Sequence, residues 1–170
     1  MGNTAPSAWV TSHADLIQPK GSVLDLACGS GRHTKWLLQQ GFRVMAVDIN
    51  ITGLADIMET ANLAVLEADL ENGFWPLGNA QFDAIIVTNY LHRPLFAPIK
   101  DALAPDGVLI YETFMVGNEA YGRPSNLDFL LQPEELREVF KSLEIVAFEE
   151  GYVDTPEPAM KQKIVAINRS

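Results

Sequence analysis

A glycine-rich turn between an apolar segment and a helix-forming segment is where this sequence first suggests chemistry. Residues 23–34 read VLDLACGSGRHT, with glycines at positions 29 and 31. Glycine has no Cβ, so the backbone can turn tightly here and approach a ligand closely, while Ser30 and Gly31 expose their amide N–H groups. The pattern predicts a strand that leads into a helix start and binds a small molecule at the turn.

An acidic residue at the end of the next apolar segment extends this site. Residues 42–47 are strand-like, and Asp48 follows directly. A carboxylate in this position can accept hydrogen bonds from both hydroxyl groups of an adenosine ribose. The turn and Asp48 together predict an adenosine-binding site, and a glycine turn that serves only close packing is the alternative.

The order of segments predicts the fold that positions these residues. Strand-like and helix-like segments alternate, which is typical of a parallel sheet with helices on both faces. The segment at 82–88 is apolar on both faces and is expected in the middle of the sheet. The segment between the last two strands is too short for a crossover helix, which predicts an antiparallel C-terminal hairpin. We predict seven strands, over residues 22–27, 43–47, 64–67, 82–88, 108–112, 144–149 and 163–168, and helices over 31–40, 52–61, 98–103 and 133–141.

Length and segment boundaries indicate a single domain over residues 1–170. A chain of 170 residues with 48% hydrophobic content can bury one sizeable core. Residues 1–20 contain a short helix, capped by Ser7, that is expected to cover the sheet. A turn is expected at residues 104–107. The loop at 114–132 is long enough to suggest function, and we expect it to form a wall of the substrate pocket.

Charge and composition narrow the classes of partner. The formal net charge is -10, from 12 basic and 22 acidic residues, which disfavours nucleic acid and leaves a small molecule as the expected substrate. The single cysteine, Cys28, cannot form an intrachain disulfide, and no cysteine pair or HExxH pattern predicts a metal site. No signal peptide or membrane-spanning segment is evident, so a cytoplasmic protein is expected. The oligomeric state is left open.

These motifs resemble those of the class I S-adenosylmethionine-dependent methyltransferases, over nearly the whole chain. Asp25, Ala27, Gly29 and Gly31 match the family's acidic-x-Gly-x-Gly-x-Gly signature, with Ala27 in place of its first glycine. Only a backbone carbonyl contact is needed there, so alanine is expected to be tolerated. Within the family, DLACGSGRHT and NYLHRPLF are most similar to small bacterial methyltransferases of the tellurite-resistance type. The resemblance implies a Rossmann-like α/β fold, S-adenosylmethionine as cofactor and S-adenosylhomocysteine as product.

The resemblance also implies which residues hold the methionine part of the cofactor. Backbone groups at Ala27 and Gly29 would bind it, and Asp25 would order its amino group. Asn89, at the end of the predicted central strand, would reach it near the transferred methyl group. All of these positions lie at strand carboxyl ends, where ligands bind in such sheets.

The nucleoside part would be held by residues after the second and third strands. Asp48 would bind the ribose, Ile49 would pack on the adenine ring, and Asp69 would accept the adenine amino group. The Leu70 amide would meet a ring nitrogen. The complete set of cofactor residues implied is Asp25, Ala27, Cys28, Gly29, Gly31, Asp48, Ile49, Asp69, Leu70 and Asn89; Cys28 is otherwise interpreted as a small buried filler.

Candidate catalytic residues follow Asn89 at the carboxyl edge of the sheet. Methyl transfer from a sulfonium is an in-line displacement, so alignment of the acceptor is the main requirement, and a base is needed only if the acceptor must lose a proton. His92 is the candidate base, with a local backbone hydrogen bond as the alternative, and Tyr90 lies beside it. Arg93 either binds an anionic acceptor or forms a surface ion pair. Tyr121 either closes over the substrate or packs on its own loop.

Two other functions compete with a methyltransferase acting on a small-molecule acceptor. A nicotinamide-dependent reductase also opens with a glycine-rich turn, but Thr34 stands where its third glycine belongs, acidic Asp25 lies near its pyrophosphate site, and no substrate domain is evident. A noncatalytic S-adenosylmethionine-binding module that acts through a protein partner is the second alternative, because no residue is an unmistakable base.

Overall fold

Seven strands form one sheet in the computed structural model, which describes residues 4–169. Their order across the sheet is β3-β2-β1-β4-β5-β7-β6. The strands are β1 Ser22–Leu26, β2 Arg43–Asp48, β3 Leu63–Glu67, β4 Phe82–Thr88, β5 Leu103–Phe114, β6 Glu144–Val153 and β7 Ala159–Ile167.

Strand direction confirms the predicted mixed sheet. Strands β1 to β5 pair in parallel, whereas β7 is antiparallel to both β5 and β6. Strand β4 is the fourth of seven, so the expected central position is confirmed. The strand order reverses between β1 and β4, and the crevice beyond their carboxyl ends is the usual ligand site in such sheets.

Four α-helices accompany the sheet in the described range: α1 Ala8–His13, α2 Arg32–Gln39, α3 Phe96–Asp101 and α4 Glu135–Val139. The α-helix predicted over residues 52–61 is wrong, because Thr52–Ile57 is a 3-10 helix followed by a turn. Thr52 and Gly53 are poor helix formers, and Gly53 packs so closely on the preceding turn that an added Cβ would lie 2.7 Å from Ser30 Cα.

The turn expected at residues 104–107 lies inside strand β5. Phe82 pairs with Leu103, and Ala84 pairs with Val108, so the four residues between form an excursion from the ladder. Asp106 has a φ of 64°, which gives the local reversal that the turn residues indicated. Strand β5 therefore begins earlier than predicted.

Apolar side chains cover both faces of the sheet. On one face, Ile85 and Val87 of β4 pack with residues of α3 and α4. On the other, Ala84 and Ile86 pack with Trp9 of α1 and with α2. Because β4 is buried on both faces, its neighbours hold its carboxyl end and that of β1 in a fixed relation.

Candidate functional site

The turn after β1 forms where the glycine pattern predicts, but the predicted exposure of the Gly31 N–H is wrong, because this group is bonded within the turn. The Cys28 N–H donates to Val47 O at 2.9 Å, which joins the turn to β2, and the Gly31 N–H donates to Cys28 O at 3.0 Å. Gly31 has a φ of 88°, and an added Cβ would lie 2.3 Å from Leu54 Cδ2. Gly29 has a φ of 57° and open space where its Cβ would be, so its surface is free for a ligand.

Two residues other than glycine adopt left-handed backbone at the carboxyl ends of adjacent strands. Ala27, after β1, has a φ of 55°, and Asn89, after β4, has a φ of 54°. This conformation costs a non-glycine residue about 1–2 kcal/mol, although asparagine tolerates it better than alanine does. Such strain concentrates at functional sites. Here the left-handed residues direct the segments after β1 and β4 away from the sheet at the crevice between the two strands.

The carboxylate of Asp48 ends β2 and faces the turn. Its Oδ2 accepts from the Gly29 N–H at 2.9 Å, and its Oδ1 accepts from the Asn50 N–H at 2.9 Å. A carboxylate offers about four acceptor positions. Each oxygen of Asp48 therefore keeps a position for a ligand hydroxyl, which fits the vicinal diol of a ribose.

Asp25 lies beneath the turn, with its side chain 2% exposed. The Thr34 hydroxyl donates to its Oδ2 at 2.6 Å, which ties β1 to the first turn of α2. Burial raises the pKa of Asp25 to about 6, against the opposing effects of the Thr34 hydrogen bonds and the Arg32 charge. From this position Asp25 stabilises the turn.

An apolar side chain and a second carboxylate extend the site along β2 and β3. Ile49 is 65% exposed beside Asp48, although its side chain is apolar. The Ala68 N–H donates to Asp48 O at 3.0 Å, which brings the segment after β3 alongside. There Asp69 is exposed and accepts the Glu71 N–H at 2.8 Å, while Leu70 is buried. The exposed Ile49 side chain can pack on a nucleotide base, and the exposed Asp69 carboxylate can accept a hydrogen bond from that base.

Tyr90 and His92 lie beside Glu71. The Tyr90 hydroxyl donates to Glu71 Oε2 at 2.9 Å, and His92 Nδ1 is 3.9 Å from Glu71 Oε1. Burial, the hydrogen bond to Glu71 and the nearby carboxylates all raise the pKa of Tyr90, which keeps its hydroxyl protonated. Both side chains are thus brought to the Asp69 side of the site.

Arg93 forms the ion pair that was one of its two predicted interpretations. Its guanidinium binds Glu135 through Nε at 2.7 Å and through Nη2 at 2.9 Å. It also donates to the carbonyl oxygens of Asp128 and Leu130. The structure does not bring Arg93 together with Asp48 and Asn89; it joins the segment after β4 to α4.

A cleft of about 900 Å³ opens on the other side of Asn89, and we call it the β5–β7 cleft. Residues 6–9, the tip of the 114–132 loop, Val153 and residues 155–159 border it. Tyr121 lines this cleft and packs on Tyr152, with ring centroids 5.3 Å apart. Of the predicted catalytic residues, Tyr121 lines it and Tyr90, His92 and Arg93 do not.

The N-terminal segment reaches the cleft through Ser7. The Ser7 N–H donates to His33 Nε2 at 2.9 Å, and the Ser7 hydroxyl donates to Glu112 Oε1. An accepting Nε2 places the ring proton on Nδ1, which faces Thr88 Oγ1 at 3.4 Å. Burial, aided by the charges of Arg32 and Lys161, lowers the pKa of His33 to about 4, so the ring is neutral.

Sequence reasoning missed the charged floor of the cleft. Lys161 and Lys163 of β7 line it with Arg32 and Glu112, and Lys163 pairs with Glu112 across the β5–β7 ladder. The available signal was two lysines spaced two apart in a mostly apolar strand, which places both on one face.

Comparison with known proteins identifies the family. A family model described as a methyltransferase domain matches residues 23–107, which is half of the chain. The chain belongs to this methyltransferase-domain family, and the class predicted from the sequence is confirmed. The matched range contains the turn, Asp48, Asp69 and Asn89.

Individual relatives agree with this assignment. The Bacillus subtilis (strain 168) protein YqeM, provisionally named a methyltransferase, is 27% identical over 127 residues, which cover 66% of this chain and 50% of YqeM. TehB from Haemophilus influenzae superposes with a TM-score of 0.83 at 22% identity, over 98% of this chain and 64% of TehB. This chain therefore spans about half the length of YqeM and less than two thirds of TehB.

A further solved structure shares the fold. The 1,6-didemethyltoxoflavin-N1-methyltransferase of Burkholderia thailandensis, which contains 1,6-didemethyltoxoflavin and S-adenosylhomocysteine, gives a TM-score of 0.71 at 22% identity. The match covers 96% of this chain and 77% of that enzyme. Within residues 4–169, no helix is long and apolar enough to cross a membrane, and no three His, Cys, Asp or Glu side chains are grouped to hold a metal ion.

Proposed function

We propose that this chain is an S-adenosylmethionine-dependent methyltransferase that acts on a small-molecule acceptor, with residues 1–170 as its single domain. The observation that carries the proposal is the Asp48 carboxylate, which the Gly29 N–H holds at the carboxyl edge of the sheet with acceptor positions to spare. Family membership gives the reaction class, and this geometry fits the nucleoside of the methyl donor.

The residues around Asp48 fit the rest of the cofactor. Backbone groups at Ala27 and Gly29 bind the methionine part, and Asn89 borders it from β4. The nucleoside lies against the exposed Ile49 side chain, with Asp69 accepting from the adenine and the Leu70 amide beside it. Cys28 and Gly31 shape the turn. Asp25, held by Thr34, keeps the turn in place without direct exposure.

S-Adenosylmethionine, when bound, supplies a methyl group on a positively charged sulfur that is already activated for displacement. The protein then has to orient the acceptor and exclude water, and effective molarity can supply several kcal/mol of the barrier. The β5–β7 cleft meets the cofactor residues at Asn89, and we place the acceptor there. Tyr121 borders the acceptor, whereas Tyr90 and His92 border the nucleoside.

The sheet argues against the reductase alternative. Dinucleotide-binding sheets of the 3-2-1-4-5-6 order have no antiparallel strand inserted beside the fifth, as β7 is here. The noncatalytic alternative shares every cofactor contact with the enzyme. Turnover of an acceptor separates the two.

The first test is calorimetric titration with S-adenosylhomocysteine, S-adenosylmethionine and NAD. We expect the first two to bind with micromolar dissociation constants, about -8 kcal/mol, and NAD not to bind. Asp48→Ala removes the ribose acceptors and should weaken S-adenosylhomocysteine binding by about 1–3 kcal/mol.

Asp56→Ala is the matched control, because Asp56 is an exposed acid paired with Lys35 at 3.5 Å. It should leave cofactor affinity unchanged. Equal affinity of a folded Asp48→Ala protein and the parent would contradict the proposed site.

A further inference from the structure

The β5–β7 cleft concentrates positive charge in an acidic protein. The chain carries a formal charge of -10, yet four of its twelve basic residues line this one cleft, with Glu112 and Glu157 as the acidic ones. The basic residues outnumber the two acidic ones, and an excess of positive charge in a cleft attracts ligands of the opposite sign. The four basic residues are Arg32, Arg123, Lys161 and Lys163.

Lys161 is the most unusual of the four. The residue as a whole is 9% exposed, and it lies within β7 on the floor of the cleft. Its Nζ lies 5.0 Å from the centroid of the Phe114 ring and, within residues 4–169, makes neither a hydrogen bond nor an ion pair. No buried side-chain nitrogen or oxygen of the described residues lacks a hydrogen-bond partner, so the unpartnered Nζ is itself accessible, while the aliphatic stem of Lys161 is covered. The ammonium group therefore opens to the cleft, where an anionic ligand can reach it.

The described groups around Lys161 leave its Nζ without a hydrogen-bond or ion-pair partner. Glu112 is buried and accepts the Ser7 hydroxyl, and its ladder partner is Lys163 rather than Lys161. Lys163 lies over the Trp9 ring, and Arg32 donates to Ala5 O at 3.1 Å. Burial lowers the pKa of Lys161, Glu112 opposes this, and the charges of Arg32 and Lys163 add to it.

We propose that the methyl acceptor carries a negatively charged group, a carboxylate or a phosphate, and that Lys161 is its main partner in the β5–β7 cleft. Lys163 and Arg32 supply further positive charge. The acceptor's charged group then lies at β7, and its reactive atom points to Asn89 and the methyl donor. This inference rests on the proposed function for the identity of the ligand as a methyl acceptor, but the anion site itself can be tested separately.

Pyridoxal 5′-phosphate is a suitable probe of the anion site, with pyridoxal as its uncharged match. The Lys161 amine adds to the aldehyde and loses water to give an imine, which borohydride reduces to a stable secondary amine located by mass spectrometry. Pyridoxal cyclises to an internal hemiacetal and reacts more slowly with any lysine, so the phosphate-to-pyridoxal rate ratio is compared with that of Lys141, which is exposed and paired with Glu138. Focusing of the anionic probe should make this ratio at least about tenfold higher at Lys161 than at Lys141.

Variants test the assignment further. Lys161→Met should remove the fast-labelled site, and Lys163→Met should leave Lys161 labelled but reduce its preference for the phosphate probe. Failure of Lys161 to label, or the same phosphate-to-pyridoxal rate ratio at Lys161 and Lys141, would overturn the proposal. Since labelling needs no cofactor, this outcome is distinct from failure to bind S-adenosylhomocysteine, which would overturn the proposed function.

Protection experiments identify the anion. Labelling of Lys161 is measured in the presence of two charged compounds, benzoate and phenyl phosphate. Their uncharged matches are benzamide and phenol, respectively. Protection by benzoate alone indicates a carboxylate acceptor, and protection by phenyl phosphate alone indicates a phosphate ester. Equal protection by charged and uncharged members of each pair would refute an anion site.

Discussion

Replacing Asp25 by asparagine should change how the stability of the protein depends on pH. Burial raises the pKa of Asp25 from 3.8 to about 6 in the folded protein. Between these values the folded state binds a proton that the unfolded state does not, so stability rises as pH falls from 6 to 4. A difference of about two pH units, at 1.36 kcal/mol each, amounts to about 3 kcal/mol.

His33 should have the opposite effect over nearly the same range. Its pKa falls from 6.5 to about 4 on folding, because burial disfavours the charged ring. Between these values the unfolded state binds the extra proton, so stability falls as pH decreases, again by about 3 kcal/mol. Protonation of Nε2 would also displace the hydrogen bond from the Ser7 N–H. In the parent protein the two contributions nearly cancel.

Urea unfolding followed by tryptophan fluorescence, at pH values from 4 to 7.5, can separate them. The stability of the parent relative to Asp25→Asn should increase by about 3 kcal/mol from pH 7 to pH 4. Relative to His33→Gln, whose amide oxygen can still accept from Ser7, it should decrease by about 3 kcal/mol. The two pH-dependent changes should add in the double variant, so the difference in unfolding free energy between the parent and the double variant should depend little on pH.

Other carboxyl groups titrate in this range in every variant. The informative quantity is therefore the difference in unfolding free energy between each variant and the parent at the same pH. A pH-independent difference for Asp25→Asn, or one of the same sign as for His33→Gln, would show that Asp25 is not held in the desolvated environment described above. The physical reading of the turn would then be wrong.

Two further substitutions test packing around the site. Gly53→Ala places a Cβ 2.7 Å from Ser30 Cα and should displace the turn. Calorimetry should then show S-adenosylhomocysteine binding weakened by about 1–2 kcal/mol. Gly41→Ala is the control, because its Cβ would meet open space, and it should change the free energy of unfolding without changing the affinity for S-adenosylhomocysteine. Arg93→Met leaves Glu135 without its ion-pair partner and should lower the free energy of unfolding, measured in urea, by about 1–3 kcal/mol. Arg93→Lys should recover part of this loss. Unchanged stability of Arg93→Met would contradict the structural role of the pair.

Features set by local sequence were predictable. The turn at Gly29 and Gly31 and the acid at Asp48 depend on residues close in sequence. The alternation of segments was enough to predict the parallel sheet, and the short last connection was enough to predict its antiparallel end. The 3-10 helix at Thr52–Ile57 was missed, since it depends on close packing of Gly53 against Ser30.

Side-chain directions after β4 were not predictable, because distant residues determine them. Glu135, 42 residues beyond Arg93, binds its guanidinium, and Glu71 holds Tyr90 across 19 residues. The lysines of the cleft posed a similar problem. Only the register of β7 against β5 places Lys161 beside Phe114 and Lys163 beside Glu112.

The position of the β5–β7 cleft in the chain also bears on the order in which parts of this protein can fold. Trp9 Nε1 donates to Ile164 O at 3.2 Å, a contact between residues 155 positions apart, and Ser7 binds Glu112 on the same side. Contacts so distant in sequence form late, after loop closure has been achieved. During translation, the four strands that bear the proposed cofactor residues can emerge and pair before β7 has been synthesised. A nascent chain can thus gain the proposed nucleoside site while the proposed acceptor site does not yet exist.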